Sequence, residues 1–585
     1  MGSIVATVGF PPDPQLGERM LGSAPYRGTC RQCVAVGRCL LGFSRTEDGS
    51  DAGSATRDGW GAVFCGTLDN LAELAAEPGD RVATPAEAVL ATFQRFGKDA
   101  PARLRGAFAA AVTDGRQLWC FRDHVGLYTL VYSERAGTVA VASEPAELEP
   151  VLPTGLQPDL DGLEALLYKF CDGSAGTHLG VRTLPAATTL CADGSSVRLH
   201  RYWRPEHLIE SARLADDEIA ERFAACMSQA VARTLTGADA IALSGGIDST
   251  AVAAFAAPLH RARWGRPLGA VSAVYPQHPT ADESEFIRAM ASSAGLVLHT
   301  YVPAARPTDH LEYWTRLTRS PVHPQYTISE TEEMYRCARA LGYRTVITGE
   351  YAEGLVEMRQ GLFRHLLRRG RIRTLARHLR GYRANGVGLG SLAGHLAVAA
   401  FPRLYAAYRR VRGGPRVRAP DWLDADRVRQ ARRTVEATRP TWRHAQMPAF
   451  EGANLAGCAD EVCQEVCGVR VRVPWADVDL WEFFMSLPAE VKFPDVRPKG
   501  LVRSLLRGRV PDTILDRSDK TYFDDAIRDN IDYKALRRWL VEPKHRLRSI
   551  DYEVLAYRLH MEDLELSEFL WAKDLASIQA FLALW

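Results

Sequence analysis

The 585-residue sequence lacks any long apolar run. Its longest mildly apolar stretch, from Gly386 to Ala407, is broken by His395, Pro402 and Arg403 and falls short of a membrane span. It lacks an excess of charge of one sign. Lys plus Arg number 72 against 70 Asp plus Glu, a formal charge of +2, so no global field draws nucleic acid or a membrane surface. Met1 to Val5 lacks the charged region and apolar run of a signal peptide, and a cytoplasmic protein is expected. The twelve cysteines lack a metal-binding arrangement: neither Cys30, Cys33 and Cys39 nor Cys458, Cys463 and Cys467 supply the four ligands of a structural zinc site, so reduced thiols are expected. No internal repeat and no low-complexity tract is found. What remains is a globular composition, 46% hydrophobic and 24% charged, at a length that suggests two large domains.

The first two hundred residues alternate short apolar runs with turn signals, at Trp60–Gly66, Phe108–Thr113, Leu118–Arg122, Leu127–Ser133 and Val139–Ser143. Helical patterning lies between them at Ala86–Phe96 and Leu160–Phe170, which predicts an α+β layered domain over residues 1–205. From Asp216 amphipathic helices alternate with the runs Ala240–Leu243, Ala270–Tyr275 and Thr345–Thr348, a pattern that predicts a parallel α/β sheet over 206–585. Between Glu357 and Asp421 there is no acidic residue, while Arg364, Arg368, Arg369, Arg371, Arg373, Arg377, Arg380 and Arg383 recur among Leu and Ala. That segment, about 359–420, reads as a helical insert.

The strongest chemical signal is Ile241-Ala242-Leu243-Ser244-Gly245-Gly246-Ile247-Asp248-Ser249-Thr250, an apolar strand entering a Ser-Gly-Gly turn and leaving into a helix. Two glycines let backbone N–H groups approach phosphate oxygens. The hydroxyls of Ser244, Ser249 and Thr250 can donate further bonds, and the helix presents its positive N-terminus. A carboxylate beside phosphates is repelled unless a divalent cation lies between them, so Asp248 is read as a Mg²⁺ ligand. The turn has neither the Gly-Lys-Ser/Thr ending of a P-loop nor the spacing of a dinucleotide fingerprint. It resembles the pyrophosphate-binding loop of the ATP pyrophosphatase group, which splits ATP between its α and β phosphates.

A second constellation follows the strand Thr345–Thr348. Gly349-Glu350-Tyr351-Ala352-Glu353-Gly354 resembles the Gly-Glu-Gly-x-Asp-Glu turn of asparagine synthetases, and at the carboxyl end of a parallel strand it faces the ligand crevice. The resemblance gives Glu353 the place of the second metal carboxylate. Glu350 takes that of the carboxylate that accepts the proton from, or places, the attacking amine. Arg470-Val471-Arg472-Val473-Pro474-Trp475-Ala476-Asp477 and Asp516-Arg517-Ser518-Asp519-Lys520-Thr521-Tyr522-Phe523 resemble two further segments of that family, the second with one extra residue between Arg517 and Lys520. Lys520 is then expected to stabilise charge on the tetrahedral oxygen and the departing phosphate. Lys499 is either a phosphate contact or a surface lysine. Asp282-Glu283-Ser284 either lies near the nucleotide or caps a helix. Leu243, Val274 and Gly349 complete the expected ATP neighbourhood.

The first domain shows Gly106-Ala107-Phe108-Ala109, Arg122-Asp123-His124-Val125-Gly126-Leu127-Tyr128 and Ala142-Ser143-Glu144, which resemble a class II glutamine amidotransferase domain of Ntn-hydrolase type. Such a domain uses a cysteine whose thiol attacks glutamine and whose α-amine acts as base. Here that position holds Gly2. Cys65-Gly66 and Thr84-Pro85-Ala86-Glu87 stand where the family has its Asn-Gly pair and its glutamine-binding Asp.

The resemblance therefore implies an ATP- and Mg²⁺-dependent ligase whose amine does not come from glutamine. Within the superfamily it is most similar to lasso peptide cyclases, in which a core peptide supplies both the Asp or Glu carboxylate and the α-amine. That reading implies a leader peptidase and a leader-recognition protein as partners. A β-lactam-forming synthetase and an ammonia-dependent amide synthetase stay open, as does a non-catalytic scaffold. The Arg-rich insert is either a lobe that holds peptide or a solvated decoration.

Overall fold

Two antiparallel sheets grow from the short apolar runs of the first 201 residues. The structure is a computed structural model and describes residues 2–47, 49, 51–76, 82–135, 137–168, 176–322, 328–357, 359, 361–401, 419–430, 455–517 and 521–585. Strand β1 (Ser3–Val8) lies between β3 (Cys39–Arg45) and β9 (Thr138–Ala142). Outward from these run β2 (Cys30–Val36) on one side, and β8 (Val131–Arg135) and β10 (Arg182–Thr183) on the other. The second sheet has the order β12 (Val197–Arg201), β11 (Thr188–Ala192), β7 (Leu118–Arg122), β6 (Gly106–Thr113), β5 (Trp60–Leu68), β4 (Ala52–Arg57).

Every residue of β1 is buried because the strand is covered on both faces. Ile4, Ala6 and Val8 meet Val63, Cys65, Ala109 and Ala111 of the second sheet, while Val5 packs under Met20 and Leu21 of helix α1 (Pro14–Gly22). The outer face of the second sheet carries Phe64, Phe108 and Phe121 against Val89, Leu90 and Phe93 of α2 (Pro85–Phe96). Layers of helix, sheet, sheet and helix result, the α+β layered architecture expected of the first part.

The third sheet is parallel, in the order β15 (Val297–Tyr301), β14 (Gly269–Ala273), β13 (Asp239–Ala242), β16 (Thr345–Ile347), β17 (Arg470–Arg472). Crossover helices α3 (Ile247–Trp264), α4 (Ser284–Ala294) and α5 (Ile328–Ala340) link the first four strands in sequence. The chain starts in the middle at β13, builds outward through β14 and β15, then returns to place β16 on the other flank of β13. Ile241 is in register with both Ala270 and Ile347. That reversal opens a crevice at the carboxyl ends of β13 and β16, where ligands of open α/β sheets bind.

The two parts are joined by charge as well as by packing. Arg470 pairs with Asp51 and Arg472 with Asp69, both from β17 to the second antiparallel sheet's neighbourhood. Arg27 is fully buried between Glu144 and, at 2.9 Å, Glu461 of helix α9 (Leu455–Cys467); Thr129 also donates its N–H to Glu461 at 2.6 Å. The described part of the Arg-rich insert is helical, as expected: α6 (Leu362–Arg368), α7 (Ile372–Ala384) and α8 (Leu389–Ala400). No helix among the described residues is long and apolar enough to cross a membrane.

Candidate active site

The Ser-Gly-Gly turn begins where β13 ends. Leu243 is buried and donates its N–H to the carbonyl of Val271 at 3.1 Å, which extends the sheet by one residue before the chain turns. Gly245 is required by space, because a Cβ there would lie 2.7 Å from the Cβ of Glu283. The turn is held from inside. Ser244 donates its N–H to Ser249 Oγ at 3.0 Å, and the two hydroxyls are 2.9 Å apart. Gly246 donates to Ser244 Oγ at 3.3 Å and Gly245 to Glu283 Oε2 at 2.9 Å. Ser249 and Thr250 are buried, and the Thr250 hydroxyl donates to the carbonyls of Gly246 and Ile247, 3.0 and 3.1 Å away. Of the three hydroxyl residues named from sequence, only Ser244 is exposed. Val274, just past β14, is half-buried and donates its N–H to Tyr301.

Across the crevice, Gly349 comes so close to the start of α3 that a Cβ would sit 2.5 Å from the Ser249 nitrogen and 2.8 Å from the Asp248 carbonyl carbon. Glu350 and Tyr351 follow, the latter at φ 69°, and a short helix, Ala352–Val356, carries Glu353 with Glu357 one turn later. Asp248 is the meeting point. The Lys499 ammonium donates to its Oδ2, with Glu357 4.0 Å from the same ammonium, while Asp248 Oδ1 is buried without a hydrogen-bond partner. Burial raises the Asp248 carboxyl above its ordinary value. Lys499 opposes that rise, and the charges of Glu357 and Glu353 add to it. From behind, Trp475 donates its indole N–H to the Asp248 carbonyl at 3.1 Å, and Trp481 donates to the Trp475 carbonyl at 2.7 Å.

Sequence reasoning missed Glu357 and underrated Lys499 and Glu283. The spacing of Glu353 and Glu357 by four residues on one helix face was a usable signal. Glu283 does not cap α4 with its side chain; its carboxylate spans the Gly245 N–H and the guanidinium of Arg517, 2.7 Å away, and accepts the Thr521 hydroxyl. Lys520 lies outside the described residues, and its described neighbours Arg517 and Thr521 both bind Glu283.

Glu350 is an exposed residue. The protein packed around its carboxyl, with the charge of Asp460, pushes that group up to about 7. Asp460 is itself fixed by the hydroxyl of Tyr335 at 2.7 Å and the amide of Gln464 at 2.6 Å.

In the first part, the position expected to hold a nucleophilic thiol is closed. A Cβ on Gly2 would lie 2.2 Å from the Ser44 carbonyl oxygen and 2.6 Å from Ala52 Cβ. The Tyr128 hydroxyl donates to the Gly2 carbonyl at 3.0 Å. Cys65 is fully buried beside Ser143, and burial pushes its thiol up to about 12, far from a reactive thiolate. Asp123 accepts the N–H groups of Val125, Leu127 and Tyr128, so it shapes a turn.

The crevice offers carboxylate oxygens of the kind that a hard divalent cation takes. Asp248 offers an orphaned buried oxygen, and Glu353 and Glu357 act on it through charge. No group of three or more His, Cys, Asp or Glu side chains able to hold a metal occurs among the described residues. Mg²⁺ is characteristically held by one or two carboxylates together with substrate phosphates, which matches so sparse a protein donor set.

A layered antiparallel domain joined to a parallel sheet with a Ser-Gly-Gly turn at its switch point defines an amidotransferase-like part coupled to a nucleotide-type α/β part. The sequence profile described as asparagine synthase matches residues 222–585, and that described as glutamine amidotransferase domain matches residues 3–203. The chain belongs to the asparagine synthase family. It is 31% identical over 248 residues to a putative asparagine synthetase (glutamine-hydrolyzing) of Mycobacterium tuberculosis, a match that covers only 38% of either chain. Asparagine synthetase (glutamine-hydrolyzing) 3 of Bacillus subtilis is 24% identical over 506 residues, 80% of this chain and 75% of that one. A carboxyethyl-arginine beta-lactam-synthase of Streptomyces clavuligerus is 30% identical over 208 residues, 34% of this chain and 37% of its own.

Proposed function

We propose that this protein is an AMP-forming, ATP-dependent carbon–nitrogen ligase that takes carboxylate and amine from one substrate, and that it acts as a lasso peptide cyclase. The reading divides the chain into a degenerate amidotransferase-like part, residues 1–205, and a synthetase part, 206–585, with the insert at about 359–420. One observation carries it: Gly2 has no room for a side chain, while the crevice retains Asp248, Glu350 and Glu353. The chemistry of amide formation is kept where the chemistry that releases ammonia from glutamine is closed.

In the proposed reaction an Asp or Glu side-chain oxygen of a core peptide bonds to the α-phosphorus of ATP, and pyrophosphate leaves. The α-amine of the same peptide then attacks the acyl carbon, the C–O bond to AMP breaks, and a macrolactam forms. The Gly245-Gly246 turn and the N-terminus of α3 cradle the phosphates, which replace Glu283 Oε2 on the Gly245 N–H and Ser244 Oγ on the Gly246 N–H. Mg²⁺, when bound by Asp248 and Glu353, supplies positive charge between the phosphates and the protein carboxylates. Glu350 accepts the proton from, or places, the amine, and its raised pKa suits a base that works near neutrality. Lys520 stabilises the tetrahedral oxygen and the leaving phosphate. A leader peptidase and a leader-recognition protein would deliver the peptide in the cytoplasm.

Pyrophosphate–ATP exchange tests this. A leader-free core peptide should support exchange, and N-acetylation of its α-amine should abolish ring closure without abolishing exchange. Exchange supported only by a carboxyethyl amino acid would favour a β-lactam synthetase, the second reading, which the 30% identity to the carboxyethyl-arginine beta-lactam-synthase supports. Product formed only with added ammonium would favour an amide synthetase. No exchange with any of these would leave a scaffold.

A further inference from the structure

Residues 493–497 lead directly to Lys499, and the Arg-rich insert closes on their carbonyl oxygens. Arg359 donates through Nη1 to the Asp495 carbonyl at 2.9 Å and through Nη2 to the Arg497 carbonyl. Arg377 donates to the Pro494 carbonyl at 3.1 Å. His378 is fully buried and its Nε2 lies 3.0 Å from the Phe493 carbonyl, which requires the proton on that nitrogen. The backbone itself is pressed close: a Cβ on Gly381 of α7 would lie 2.7 Å from a Val496 methyl. Leu362, Leu366 and Leu375 of the insert share a small core with Ala489 and Phe493, and the Arg359 guanidinium lies over the Phe493 ring at 5.1 Å. Four of the five carbonyls from Phe493 to Arg497, all but that of Val496, thus accept from one lobe.

Lys499 needs such support. It sits at φ 55°, in the left-handed region that is unfavourable for a residue with a Cβ. It is also buried, with its ammonium on Asp248. A long, rotamer-rich side chain held in this way loses conformational freedom that local sequence does not repay. The surrounding structure must impose the geometry.

We infer that the Arg-rich insert is a positioning element of the nucleotide site: Arg359 and His378 fix the Phe493–Arg497 backbone and thereby hold Lys499 where its ammonium meets Asp248 and the phosphates. This rests on the reading of the Asp248 loop as the MgATP site. It assigns the insert a task in holding triphosphate, distinct from a lobe that grips peptide.

The test compares binding of MgATP and of AMP by the full-length protein, using calorimetry with melting curves as a check on folding. Arg359→Ala and His378→Ala should weaken MgATP about tenfold and leave AMP within about twofold, since the effect reaches the ligand through Lys499. His378→Gln, which keeps an N–H donor, should recover most of the loss. Arg373→Ala, an exposed arginine of the same lobe, should change neither. Combining Arg359→Ala with Lys499→Ala should be no worse than Lys499→Ala alone. Where the alanine variants melt early, Arg359→Lys in the double cycle with Lys499→Ala decides by the same non-additivity. Normal MgATP affinity in Arg359→Ala and His378→Ala, with Lys499→Ala impaired, would overturn the inference and spare the ATP reading. A raised KM for the acceptor with normal MgATP affinity would overturn it in favour of peptide holding. Wild-type protein that binds no MgATP would remove both.

Discussion

At the scale of single residues, the site is a balance of like charges around one ammonium. Asp248, Glu353 and Glu357 converge, and Lys499 opposes them. Asp248→Ala should lower turnover by at least about 10²-fold, a loss comparable to removing one preorganised electrostatic group, with the melting temperature little changed; both are read from a rate assay and a thermal melt. Glu350 gives a pH signature. Its carboxyl sits at about 7, so the base form gains population as pH rises through that value, and kcat/KM should fall on the acid side with a midpoint near neutrality. Asp460→Asn removes a charge that raises this pKa while keeping hydrogen-bonding groups for Tyr335 and Gln464. Its profile should shift to lower pH, and Glu350→Gln should erase the limb. The Ser244–Asp248 turn and the Gly349–Glu353 turn were legible in the sequence because each is a contiguous motif between a strand and a helix. The Glu283–Arg517 and Lys499–Asp248 pairs were not. They depend on segments up to 251 positions apart meeting in space, and a local spacing rule does not report that.

At the scale of elements, the decisive fact is the reversal of strand order at β13. It places two motifs a hundred residues apart on neighbouring strand ends, and Gly349 lets them touch. Gly349→Ala would force a methyl against the Ser249 nitrogen and should cut turnover roughly 10²-fold through about an ångström of displacement, while circular dichroism stays near wild type. β5, β6, β7, β9 and β13 were readable from turn-bounded apolar runs. β1 and β2 were passed over for opposite reasons: Ser3–Val8 is buried on both faces and shows no alternation, and Cys30–Val36 is a half-exposed edge strand that opens on Cys-Arg-Gln-Cys and has only a three-residue apolar run. The insert was readable as helical, but its docking on residues 493–497 runs through backbone carbonyls, which carry no side-chain signature in sequence.

At the scale of the whole molecule, a closed amidotransferase-like part is kept in intimate contact with the synthetase part. The fully buried Arg27 is held between Glu144 of the first and Glu461 of the second, and α9 presents Asp460 toward Glu350 one residue earlier. The first part therefore contributes to the surroundings of Glu350 through these contacts. Gly2→Cys should restore no glutamine hydrolysis and should lower the melting temperature, because the new side chain meets the Ser44 carbonyl; ammonia release from glutamine checks the first and a thermal melt the second. The central claim is that the crevice spends ATP by transfer of AMP to a carboxylate whose own chain then supplies the amine. The most direct measurement is phosphorus NMR of the nucleotide products, alongside mass spectrometry of the core peptide after a single incubation with MgATP. One AMP and one pyrophosphate per peptide lighter by one water is the expected result; ADP with orthophosphate, or a peptide left unchanged while AMP accumulates, would contradict it.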